Sequence, residues 1–136
     1  MASDPTHIVD ASALIAYFKQ EAGYQNFSSL LADDQNILAV HATNLCEVYY
    51  TYLRSDGPDK AEEAWRKATT ILGVVEKLDA QFIKRVGRWK VDYNLPLGDA
   101  FAAATAEDSA CALVTTDHND FGPIESAGAL QIVWLR

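Results

Sequence analysis

The chain has 136 residues, a formal net charge of −8, 49% hydrophobic residues and 22% charged ones. That is the length of one domain with a real buried core and the composition of an ordinary globular protein. The acidic balance counts against a general polyanion binder, and no apolar stretch exceeds about one strand, which excludes a bilayer-spanning helix.

The start, Met1-Ala2-Ser3-Asp4-Pro5, has no basic flank and no long apolar region, so no secretory signal and a cytoplasmic location are expected. Residues 6–9 form an apolar run that reads as a buried strand, followed by a helix through Ala11, Leu14, Ile15 and Phe18. Tyr24, Phe27, Leu30 and Leu31 fall at helical spacing within a second helix, residues 23–32. A strand over residues 37–40 leads to a helix over 45–54, for which Thr43 or Asn44 is the expected cap. Ser55-Asp56-Gly57-Pro58 is a break. Residues 59–72 read as an amphipathic helix with Ala61, Ala64, Trp65, Ala68 and Leu72 on one face, ended by Gly73 and a short strand over 74–78.

Asp79 caps the next expected helix, with Phe82, Val86 and Trp89 or Tyr93 inward and basic residues outward. The turn Leu95-Pro96-Leu97-Gly98 opens an alanine-rich helix reaching Ala110. A strand over residues 112–116, a short helical turn after Phe121 and a strand over 130–135 complete the chain. Strands and helices alternate throughout without repeat or linker, so residues 1–136 are expected to form a single α/β domain with about five strands between helices. Cys46 and Cys111 lie isolated in apolar patterns and read as reduced, buried thiols. His7, His41 and His118 read as partly exposed loop histidines, since none has a partner at metal-ligand spacing.

Four carboxylates stand apart from this background. Asp10 and Asp117 each close an apolar strand, Glu47 lies in the opening turns of a helix after a strand, and Asp99 opens the alanine-rich helix. In a parallel sheet with crossover helices, strand carboxyl ends and helix amino ends meet at one edge, so all four are expected to converge there. Such a cluster repels itself unless a cation is present. An all-oxygen donor set suits Mg²⁺ or Mn²⁺ over zinc, and phosphodiester hydrolysis is the chemistry those ions support best. Asp10, Asp99 and Asp117 are the expected metal ligands, with Glu47 completing the site or orienting the attacking water. Ser12 is a candidate hydrogen-bond donor to a ligand carboxylate or a substrate phosphate, and Thr116 a weaker one. Asp120 caps the following turn or holds a second metal through water. The alanines at 100, 102, 103, 104 and 106 either let the helix of Asp99 approach its neighbours closely or serve only helix propensity. Lys84-Arg85-Val86-Gly87-Arg88-Trp89-Lys90 reads as a solvated helix face with Trp89 in the core, or else as a phosphate-tracking segment.

A haloacid-dehalogenase-like phosphatase is disfavoured because Ser12 stands where a second Asp is needed, and no suitably placed lysine follows Asp99. A phospho-receiver domain lacks its acidic pair and its late lysine. The chain resembles the PIN-domain nucleases, in particular the small VapC-type toxins of toxin–antitoxin pairs. The resemblance spans nearly the whole chain and rests on Ile8-Val9-Asp10-Ala11-Ser12-Ala13-Leu14, Asn44-Leu45-Cys46-Glu47-Val48, the run from Leu97 to Ala106, and Leu113-Val114-Thr115-Thr116-Asp117. It implies a three-layer α/β/α fold and a Mg²⁺- or Mn²⁺-dependent endoribonuclease with ligands at Asp10, Glu47, Asp99 and Asp117. It implies also an RNA substrate, a cognate antitoxin offering a basic side chain to the carboxylates, and a homodimer. One departure is that Asn119 stands where the family often has an acidic residue, with Asp120 one position later. A PIN-like protein-binding module without catalysis, or a housekeeping RNA-processing nuclease, is the alternative.

Overall fold

The computed structural model describes residues 4–136, so the reading of the first three residues lies outside it. Five parallel strands, β1 (His7–Val9), β2 (Leu38–His41), β3 (Gly73–Val75), β4 (Ala112–Thr115) and β5 (Ile132–Trp134), form one sheet in the order β3-β2-β1-β4-β5. The connections are α1 (Ala11–Phe18) and α2 (Tyr24–Ala32), then α3 (Ala42–Asp56) and α4 (Pro58–Ile71), then α5 (Ala80–Tyr93) and α6 (Leu97–Ser109), and finally α7 (His118–Ser126). Among the described residues no helix is long and apolar enough to cross a membrane.

Strand side chains alternate between two cores, which is what makes three layers. Val9, Leu38, Val40 and Val114 pack with α1 to α4, whereas Ile8, Ala39, Leu113 and Ile132 pack with α5 to α7. From β1 the chain winds outward through β2 to β3, then crosses to β4 on the other side of β1. Right-handed crossovers in opposite directions place the two helix groups on opposite faces and leave a crevice above the carboxyl ends of β1 and β4. Asp10 and Asp117 stand just beyond those two ends.

Several local expectations are corrected. The third strand is Gly73–Val75, not 74–78, and Leu78 is exposed in the loop that follows. Trp65 lies on the outer side of α4, in edge contact with Tyr49, because Ala61, Ala64 and Ala68 let α4 press against α3 and leave no room for an indole. α7 begins at His118, before Phe121, since Asp117 caps it. Cys46 is exposed and Cys111 partly buried. His41 is fully buried: its ring stacks on Phe82 and its Nδ1 accepts from the Thr43 backbone, so Nε2–H donates to the Lys77 carbonyl. His41 thereby caps α3 in place of Thr43 or Asn44.

The basic stretch of α5 is partly tied into the fold. Trp89 is buried with Nε1 on Glu107, Arg85 pairs with Glu107 and Asp108, and Lys90 donates to the Leu95 carbonyl. Gly23 starts α2 with φ 90°, and its missing side chain makes room for the Leu135 carbonyl, which also accepts from Asn26 Nδ2 at 2.8 Å. A Cβ on Gly23 meets that backbone carbonyl head-on and adds left-handed strain. Gly23→Ala is therefore expected to lower unfolding stability by about 2 to 4 kcal/mol in urea titration. A loss below half a kcal/mol would mean that the carboxyl-terminal strand is not docked there.

Candidate functional site

Asp10 leaves β1 in an extended conformation and caps α1, and its carboxylate is anchored on all sides it presents to protein. Oδ1 accepts from Ser12 Oγ at 2.8 Å and from the Ala13 backbone at 2.9 Å; Oδ2 accepts from Thr115 Oγ1 at 2.6 Å. It is 1% exposed, and burial pushes its carboxyl up to about 6, against the lowering effect of those three donors and with the Asp117 charge adding to the rise. The second hydroxyl on Asp10 thus comes from Thr115. Thr116, expected in a supporting role, gives its backbone N–H to Ser12 Oγ at 3.2 Å. Strand alternation explains the difference: β4 lies beside β1 with Val9 opposite Val114, which turns the next side chain, Thr115, toward Asp10.

Asp99, Asp117 and Asp120 form the centre. One carboxylate oxygen from each lies within 4.8 Å of the other two. Asp99 sits in the first turn of α6, Asp117 caps α7 by accepting the Asp120 backbone N–H at 3.0 Å, and Asp120 is in the first turn of α7. The cap expected of Asp120 is supplied by Asp117, and this frees the Asp120 carboxylate to face the cluster. Asp99 is pushed up to about 9, first by burial, then by a hydrogen bond with Asp120 and by the charges of Asp10, Asp120 and Asp117. Asp117 is raised as well, again chiefly by burial. Four of the acidic residues singled out in the sequence are therefore coupled in space.

Glu47 stands at the margin. It is half-buried on α3, raised by burial alone, and its Oε1 lies 2.8 Å from the position a Cβ on Gly98 would occupy. Gly98 lets Glu47 approach the residue next to Asp99. The side chain that sequence reasoning treated only as a cap is Asn44. It is 1% exposed, and its Oδ1 accepts from the Ala11 backbone at 3.4 Å while Nδ2 donates to the Gly98 carbonyl at 3.2 Å. The signal available in sequence was its position three residues before Glu47, on the inward face of the same helix. Ala100, Ala102, Ala103, Ala104 and Ala106 are all fully buried, so close approach of α6 to the sheet is what they provide. An added methylene there costs about 1 to 3 kcal/mol and shifts Asp99.

A model of the PIN domain matches residues 7–123 of this sequence. The chain belongs to the PIN-domain family. No curated protein matches it. Among solved structures it is similar to VapBC2 from Rickettsia felis bound to a DNA fragment from their promoter, with TM-score 0.74 and 19% identity over 94% of this chain and 97% of that one. It is similar also to VapBC-1 from nontypeable Haemophilus influenzae, with TM-score 0.73 and 17% identity over 95% and 97%. A third is Mycobacterium tuberculosis VapC20, a Sarcin-Ricin loop cleaving toxin, with TM-score 0.69 and 17% identity over 86% and 94%. At these identities the likeness establishes a shared fold, and the three-layer PIN architecture expected from the sequence is the one observed.

The donor chemistry of this PIN domain fits a hard divalent cation. One carboxylate oxygen from each of Asp99, Asp117 and Asp120 lies within ligand spacing of the others, and among the described residues neither histidine nor cysteine joins them. Without a cation, the folded chain holds protons on Asp10 and Asp99 more tightly than the unfolded chain does. The native state then binds more protons than the unfolded state, so these groups favour folding at low pH, and that contribution is lost as pH rises through about 6 and on toward 9. Metal-free protein is expected to melt at a higher temperature near pH 5.5 than near pH 8.5. Asp99→Asn is expected to raise stability at the higher pH by about 1 to 2 kcal/mol, a figure discounted for the partial exposure of Asp99. Calorimetric scans of both proteins would contradict this if stability rose with pH, or if the Asn variant melted lower.

Proposed function

We propose that this PIN domain is a Mg²⁺- or Mn²⁺-dependent endoribonuclease and the toxin of a type II toxin–antitoxin pair. The observation that carries the reading is the convergence of Asp10, Asp99, Asp117 and Asp120 above the β1/β4 switch point, with Asp99 raised to about 9 by burial and by its neighbours. Asp99, Asp117 and Asp120 would hold the cation, with the Asp10 carboxylate beside them. A bound Mg²⁺ or Mn²⁺ neutralises charge growing on a phosphate and lowers the pKa of water. Asp10, fixed by Ser12, Ala13 and Thr115, cannot swing away, so the centre is preorganised. Glu47, raised by burial, is suited to accept the proton of the attacking water. The water oxygen then bonds to phosphorus as the P–O bond to the leaving nucleoside breaks, and the departing oxygen takes a proton from solvent to leave as a hydroxyl.

Three of the solved structures similar to this chain are complexes or toxins of the VapBC type, and one is described as cleaving the Sarcin-Ricin loop. With 19 acidic against 11 basic residues, the chain suits a partner that brings positive charge to the acidic crevice, which is what an antitoxin with a basic segment would do. A homodimer accompanies this reading. Purified protein is expected to cut structured or single-stranded RNA in the presence of Mn²⁺ and to lose activity with chelator. Asp99→Ala and Asp117→Ala should each lower the single-turnover rate by about 100-fold or more while remaining folded. Absence of cleavage across a broad RNA panel, or full activity in both variants, would refute the proposal.

A further inference from the structure

Among the described residues, five polar or charged side chains are buried: Asp10, His41, Asn44, Thr105 and Thr115. Asp10 and Thr115 belong to the centre. His41 caps its own helix and reaches the Lys77 carbonyl, and Thr105 donates to Phe101 one turn back on α6. Asn44 differs because both of its bonds leave its helix and each ends one residue from a candidate ligand. The Ala11 N–H follows Asp10 directly, and the Gly98 carbonyl precedes Asp99 directly. Glu47 lies one turn further along the helix that carries Asn44.

The chemistry of these two neighbours leaves little choice of side chain. Ala11 is the first residue of α1, so its N–H has no carbonyl four residues earlier within the helix and needs an outside acceptor. The Gly98 carbonyl, in the first turn of α6, takes a bond from the same side chain in addition to its place in the helix. A carboxamide offers an acceptor and a donor on one short, planar group; a carboxylate gives the first alone, and an alkyl group gives neither. Deleting this amide therefore strands the buried Ala11 N–H and removes the one bond that ties it to the start of α6.

We propose that Asn44 is a positioning residue of the metal centre, whose carboxamide fixes the spacing of the Asp10 and Asp99 segments across the crevice. The proposal rests on the nuclease reading of those carboxylates and deepens it. Metal ligands depend on the groups that orient their segments, and removing such a group commonly weakens metal binding or activity by about 10- to 100-fold.

The experiment compares wild type, Asn44→Leu and Thr105→Val by calorimetric titration with MnCl₂ and by single-turnover cleavage of RNA. Leucine keeps the volume and loses both bonds. Thr105→Val removes a bond of similar burial that spans no ligand segment, and so reports the effect of stability alone. Asn44→Leu is expected to weaken Mn²⁺ binding by about 10-fold or more and to lower kcat similarly with the RNA KM unchanged, at a temperature where far-UV dichroism shows both variants folded. Thr105→Val is expected to match wild type in both. If Asn44→Leu does not fold, Asn44→Ser takes its place with the same expected direction. Wild-type Mn²⁺ affinity in the folded Asn44 variant would overturn the positioning role, as would an equal loss in Thr105→Val. Weakened Mn²⁺ binding in a protein that cuts no RNA would refute the nuclease reading and leave the role of Asn44 standing. A wild type that binds no Mn²⁺ would overturn both.

Discussion

The fold is arranged around a repulsion. Two strands and two helices, each anchored by its own apolar packing, end at one crevice and each delivers a carboxylate into it. The centre is tolerable without a cation because each carboxylate is answered differently. Asp10 takes two hydroxyls and a backbone N–H, Asp117 takes the backbone N–H of Asp120, and Asp99 is pushed up to about 9, so that it retains its proton near neutral pH. These compensations offset part of the cost of gathering charge, and the rest must come from the two cores on either side of the sheet.

Those cores are built so that the ends of β1 and β4 cannot move independently. The strands carry apolar residues on both faces, which fixes their height relative to the helices, and a one-residue slip would exchange the two cores. The five buried alanines of α6 bring the first turn of that helix close to the sheet, and Gly98 leaves space there for Glu47. Asn44 joins the first turns of α1 and α6 through one carboxamide. Packing thus sets the coarse position of the carboxylates, and a small number of directional bonds set the fine one.

Much of this was legible in the sequence, for reasons that are themselves physical. Asp10 and Asp117 follow apolar runs long enough for one strand each, and parallel topology alone places such residues on a common edge. Less legible were the features that depend on contacts between distant segments. His41 looks like a loop histidine until β3 and α5 close over it, and Trp65 shares a helical face with three alanines whose close packing then excludes it. The choice of Thr115 over Thr116 turns on the register of β4 against β1, which no local pattern specifies. Asp120 passed for a cap because only the built α7 reveals that Asp117 already fills that position. Asn44 was visible as a polar residue near Glu47, but its two backbone partners lie 33 and 54 residues away.

The central claim is that the retained proton of the centre and the cation are alternatives: the same carboxylates that share protons in the metal-free chain must give them up to bind an ion. Proton release on Mn²⁺ binding tests this most directly, measured near pH 7.5 by titration calorimetry in buffers of different ionisation enthalpy. The expected result is release of about one proton for each ion bound, the one held chiefly by Asp99. Binding without proton release, or no binding at all, would contradict it.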